Sequence, residues 1–176
     1  MKHIKTVKEH LDEYFIKLNE AFDNPLVINW TSEGNFIYGF FNIGEKEYQI
    51  EAHFIINDFM TFKFSIKIGS NQSVKIVNDG SVDFIRVIPT IRQGLLYLLD
   101  VVKPNGIIFG VTDGLKGREM VYDRFIDIDI KNSSKYDANM EYVDKYKIYT
   151  IYLKTLDVNI PIETTIFVVE NLQGLF

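Results

Sequence analysis

The sequence predicts an α+β domain, a curved and mainly antiparallel sheet with two or three packed helices. Three observations carry that expectation. Apolar residues recur at three- and four-residue steps over 7–22 and 90–102, the spacing of one helical face. They alternate with polar residues over 48–56, 62–68 and 145–154, the spacing of half-buried strands. Between those blocks, 82–127 reads as strand, helix, strand, helix, and a crossover helix is what parallel pairing requires.

The first helix is carried by Val7, Leu11, Phe15 and Leu18, with Tyr14 and Phe22 beside them, and Asn24-Pro25 ends it because proline lacks the donor a helix needs. Strands are expected at 26–31 and 36–43. Tyr48, Ile50, Ala52, Phe54 and Ile56 then alternate, and after Asn57-Asp58 so do Phe62, Phe64, Ile66 and Ile68. The short breaks at Gly44-Glu45-Lys46 and Asn57-Asp58 make antiparallel hairpins the natural connections. A polar turn over 69–73, a short apolar piece at 74–77 and a second turn at Asn78-Asp79-Gly80 lead to an expected strand at 82–88.

Thr90 reads as the N-cap of the next helix, whose stripe is Ile91, Leu95, Leu98, Leu99 and Val102, and Pro104-Asn105-Gly106 stops it. The apolar run 107–111 is too short for a helix and reads as a buried strand. Val121, Tyr122, Phe125 and Ile126 fit a helix starting near Lys116. The polar stretch 131–139 reads as a mobile loop before the alternating 145–154, and 164–169 supplies a last strand. Residues 1–176 are therefore read as a single domain: an N-terminal helix to 24, antiparallel strands over 26–77, the unit 82–154, and a terminal strand within 155–176.

A chain of 176 residues, 47% hydrophobic and 14% aromatic, can bury one sizeable core. Its formal charge of -5 disfavours nucleic acid as a partner, since phosphate binding draws on clustered Lys and Arg. With no cysteine there is no disulfide, thiolate metal site or cysteine nucleophile. Charges scattered from Lys2 to Glu9 interrupt any secretory core, and no run is long enough to cross a bilayer, so a cytoplasmic protein without membrane contact is expected.

His3, His10 and His53 are spaced too widely for a local metal motif, and no metal is expected. Gly110, Gly114 and Gly117 follow a strand but lack dinucleotide-loop spacing. The acidic pairs Asp127/Asp129 and Asp12/Glu13 read as solvated, and the tyrosines at 136, 142, 146, 149 and 152 as sheet packing or an interface. The most informative local feature is 112–122, where Asp113 and Lys116 lead to Arg118 and Tyr122, four apart and hence on one helical face. A guanidinium and a phenol so placed can grip an anionic ligand or donate a proton.

Over about 82–154 the order of pieces resembles the GNAT acyltransferase superfamily. Phe84-Ile85-Arg86-Val87-Ile88 looks like its first strand, 90–102 its first helix, 107–111 its second strand, and Tyr122-Asp123-Arg124-Phe125 its tyrosine-bearing helix. The resemblance implies a GNAT-like second half, acetyl-CoA or another acyl-CoA as ligand, its pyrophosphate on the amides of Thr90, Ile91, Arg92, Gln93 and Gly94, and Tyr122 as general acid. Ile91 and Leu96 occupy the signature's other places around Gly94, Pro89 removes a donor, and Leu115 and Arg118 stand at the family's Asn and Ala positions. The glycine loop and Arg118-x-x-x-Tyr122 are also similar to small GNAT-like proteins of tailed bacteriophages.

Those departures set the functional expectation. It is a noncatalytic, phage-type accessory protein with no cofactor, which binds a host or phage protein in the host cytoplasm through contacts that include Asp113, Arg118 and Tyr122. The alternative is an acyl-CoA-dependent N-acyltransferase. Self-association into a homo-oligomer is compatible with either.

Overall fold

The computed structural model describes residues 25–68, 71–73, 82–112 and 116–156. The readings at 1–24, 74–77, Asp113 and 164–169 lie outside them. Strands β1 (Asn29–Glu33), β2 (Phe36–Ile43), β3 (Lys46–Phe54) and β4 (Phe59–Ile68) form an antiparallel meander. Its hairpins turn at Gly34 and Gly44, whose φ values of 57° and 59° suit glycine. A short β5 (Asn71–Ser73) folds back on β4, and helix α1 (Val82–Tyr97) then crosses to β6 (Gly106–Thr112). Helix α2 (Lys116–Phe125), β7 (Tyr136–Val143) and β8 (Tyr146–Leu153) complete the order. The sheet runs β1-β2-β3-β4-β6-β8-β7, and β4–β6 is its parallel pair among the described strands.

The parallel pair is not where the sequence suggests. Residues 82–88 open helix α1, and β4 takes the place of the expected strand. The physical reason is the stripe Val87, Ile91, Leu95 and Leu98, all buried, whose helical spacing begins before Pro89. Proline takes one N–H out of the helix, and Thr90 adds a local bond in the same turn, its Oγ1 donating to the Arg86 carbonyl at 2.7 Å. Two smaller corrections accompany it. The first strand sits at 29–33 rather than 26–31, and half of the expected loop 131–139 is the start of β7.

Register puts Trp30, Phe41, Tyr48, Ile50, Phe62, Phe109, Tyr149 and Ile151 on one face, and both helices cover it. Helix α1 can come close because Gly94 has no side chain: a Cβ there would lie 2.5 Å from Ile50 Cδ1. The helices touch each other through Ile88 and Val121. Each ends in a π-helical turn, Leu98–Val102 and Ile126–Ile130, and Arg92 grips Asp129 of the second turn with two bonds of 2.8 and 2.6 Å. Phe59, Ile108, Tyr146 and Ile148 form a smaller cluster on the opposite face. No helix among the described residues is long and apolar enough to cross a membrane.

Candidate functional site

The parallel ladder between β4 and β6 is three pairs long: Phe59 with Gly106, Met60 with Ile107, Thr61 with Ile108. It begins at a close approach, since a Cβ on Gly106 would run into the Ile151 carbonyl and the Phe59 ring. Beyond Thr61 and Ile108 the strands stop pairing. On this side, among the described residues, 62–65 of β4 have no strand partner before β5 takes up 66–68, and 109–112 of β6 have none from β4. Alternate peptide groups of two facing runs therefore border a gap in the sheet, the others pairing with β3 or β8, and N–H and C=O groups without a partner among the described strands favour a ligand that can hydrogen-bond them.

Aromatic rings close the helix side of the gap. Phe62 and Phe109, the first residues past the last pair, meet edge to face with centroids 5.9 Å apart. Phe109 stacks on Tyr149 at 5.1 Å, and Tyr122 of α2 leans on both, at 4.8 Å from Phe109 and 5.7 Å from Tyr149. Tyr122 is 7% exposed. On the opposite side of the sheet the gap is bordered by Lys63, Ser65 and Gly110, in register with Glu51 and Gln49 of β3 and Ile148 of β8.

Below Tyr122 lies a charged cluster. Lys147 donates to both oxygens of Asp123, at 2.7 and 2.9 Å, and the Tyr149 hydroxyl donates to Asp123 Oδ1 at 2.9 Å. Burial alone would lower the Lys147 pKa, but the Asp123 hydrogen bond and charge, with Tyr142 and Glu119 adding, hold it above its ordinary value. Burial raises the Tyr149 phenol far above its usual range, and the Asp123 bond and the Asp123 and Glu119 charges push the same way. Both groups keep their protons at neutral pH, so neither of the two acts as a base there, and their bonds to Asp123 hold α2 against β8.

The expected site residues divide. Tyr122 stands beside the gap. Thr90, Ile91, Arg92, Gln93 and Gly94 lie in the middle of α1, where helical amides bond to carbonyls one turn back, and not at a helix start. Their side chains have other work: Thr90 Oγ1 also accepts from the Leu26 N–H at 2.9 Å, Ile91 is in the core, Arg92 holds Asp129, Gln93 faces out and Gly94 meets Ile50. Arg118 is on α2. Among the described residues no group of His, Asp and Glu could hold a metal. Asp123, Lys147 and Phe109 carry no site expectation from the sequence, and Tyr149 is read there only among the sheet-packing or interface tyrosines, although Lys147 and Tyr149 share one strand face and Asp123 directly follows Tyr122.

The fold is thus an α+β sheet opened between two parallel strands, with a tyrosine-bearing helix beside the opening. No family model and no curated protein matches the chain. Among solved structures it is similar to the N-acetyltransferase PseH of Campylobacter jejuni, at 13% identity, TM-score 0.39, covering 86% of this chain and 84% of that one. It is also similar to the spermidine N-acetyltransferase SpeG of Vibrio cholerae, at 9% identity, TM-score 0.40, covering 82% and 75%.

Proposed function

We propose that this chain is an acyl-CoA-binding domain of the N-acyltransferase type, with the pantetheine arm lodged between β4 and β6. The observation that carries the reading is the early end of the β4–β6 ladder. Peptide groups on both borders suit an extended chain bearing amides, which the pantetheine arm is. An acyl-CoA supplies an activated thioester. In transfer, a neutral amine nitrogen bonds the acyl carbon, the C–S bond breaks, Tyr122 gives its phenolic proton to the departing sulfur, and the proton the nitrogen sheds on becoming an amide restores the phenol. Phe109 and Tyr149 hold that ring in place. The amides of Thr90 to Gly94 take no part, and any pyrophosphate contact falls to other residues.

Calorimetric titration with acetyl-CoA, beside an acetylation assay of Tyr122→Phe, tests this. Micromolar binding is expected, with a rate loss of about 100-fold or more in the variant, the scale on which general acids act.

A second reading is the noncatalytic, phage-type accessory protein that binds a host or phage protein. Met140 and Tyr142 favour it, being 38% and 67% exposed on one face of β7, as does the departure of 89–96 from the phosphate signature. A folded protein that binds no acyl-CoA moves the assignment to this reading.

A further inference from the structure

Among the described strands β7 lies at one end of the sheet, and its outer edge is a place where another strand could add. In the β7–β8 ladder the Lys154 N–H donates to the Lys135 carbonyl, which fixes the alternation. Asp137, Asn139, Glu141 and Val143 turn their peptide groups toward β8, and Tyr136, Ala138, Met140 and Tyr142 turn theirs outward. An outward row of free amides beside exposed Met140 and Tyr142 would be a template for self-pairing.

The row is not free. The Tyr136 N–H donates to Ser133 Oγ at 3.1 Å, the Ala138 N–H to Asp137 Oδ1 at 2.8 Å, and the Met140 N–H to Asn139 Oδ1 at 2.9 Å. Three successive outward donors are each met by a side chain of the same strand or of the turn before it. At the other end of the described strands β1 is guarded differently: it is five residues long, almost wholly exposed, polar over Thr31 and Ser32, and ends on Glu33. The protection of β7 is local and chemical, where that of β1 is shortness and polarity.

We propose that Ser133, Asp137 and Asn139 form a cap that keeps the β7 edge from pairing with a second copy of this chain. Each carboxylate, amide or hydroxyl oxygen occupies the place a partner strand's carbonyl would take. With the caps gone, two β7 strands can pair antiparallel about Asn139. Ala138 then faces Met140 of the other copy and Tyr136 faces Tyr142, so exposed apolar side chains are covered; Asp137 would face Glu141, a like-charge pair that itself opposes pairing and that Asp137→Ala removes.

The test is light scattering on the wild-type protein and on Asp137→Ala/Asn139→Ala over a hundredfold concentration range. The wild type is expected to stay monomeric and the variant to at least double in mass. Adding Met140→Lys to the variant should return it to the monomer. Hydrogen exchange keeps the proposal testable even if the double variant does not fold: in Asn139→Ala alone, the Met140 amide should exchange about tenfold faster, by loss of one such bond. A wild type that already associates through β7, a folded double variant that stays monomeric, or a Met140 amide whose exchange is unchanged would each overturn it.

Discussion

Phe62 and Phe109 touch edge to face across the sheet directly past the last hydrogen-bonded pair of their two strands. The parallel pair opens, yet its apolar rings stay in contact, so the opening is a supported feature of the core. Phe109 is the shared member, touching Phe62, Tyr122 and Tyr149. Phe109→Ala should cost about 3–5 kcal/mol in denaturant unfolding, as large-to-small aromatic changes in cores do. Phe109→Leu should cost less and leave Tyr122 supported on one side only.

The clamp below it gives a second prediction. Asp123→Asn leaves the Lys147 ammonium, 11% exposed, with a weaker acceptor and should cost about 1–3 kcal/mol. In a Tyr149→Phe background, where no hydroxyl loses its acceptor, replacing both partners, Asp123→Leu with Lys147→Met, should cost less than Asp123→Leu alone. A double-mutant cycle on unfolding free energy measures this, and a double variant as unstable as the sum of its singles would contradict it.

Alkaline stability follows from the same cluster. The folded-state pKa values of Lys147 and Tyr149 are both raised above 10.5 and 10.0, so the folded state holds their protons more tightly than the unfolded chain. Their contribution is fully present below those ordinary values and is lost as pH rises past them. Unfolding free energy should therefore fall above about pH 10 in the wild type. In Tyr149→Phe with Lys147→Met that decline should be shallower.

Thr90 separates a phosphate-binding role from a structural one. Its hydroxyl accepts from Leu26 and donates to Arg86 inside the core. Thr90→Val should cost about 1–3 kcal/mol, the price of a buried donor left unmet, and should leave acetyl-CoA affinity unchanged. A selective loss of affinity with full stability would restore the amides of α1 to the ligand site.

The strands of the meander were legible because period-two alternation is dense in 48–68 and glycine marks the turns. Helix α2 and Tyr122 were legible from their spacing. The first half of α1 was not: in Val82-Asp83-Phe84-Ile85-Arg86-Val87-Ile88 the apolar residues are so frequent that both periods fit, and Pro89 reads as a boundary. What decides is the sheet surface at Ile50, which receives Gly94 and which no local pattern reveals. Strand β7 carries its alternation openly at Tyr136, Ala138, Met140 and Tyr142, but its polar residues resemble a loop because they serve the edge. The clamp joins residues 24 apart across a strand, a relation set by packing.

The most direct test of the account is hydrogen exchange of the amides at 62–65 and 109–112, measured with and without saturating acetyl-CoA. In each run alternate amides face the gap and lack a partner there among the described strands, while the others bond β3 or β8. The account predicts slower exchange in both runs on ligand binding, with the paired amides of Met60 and Ile107 little changed. Binding that protects other surfaces and leaves both runs as they were would contradict it.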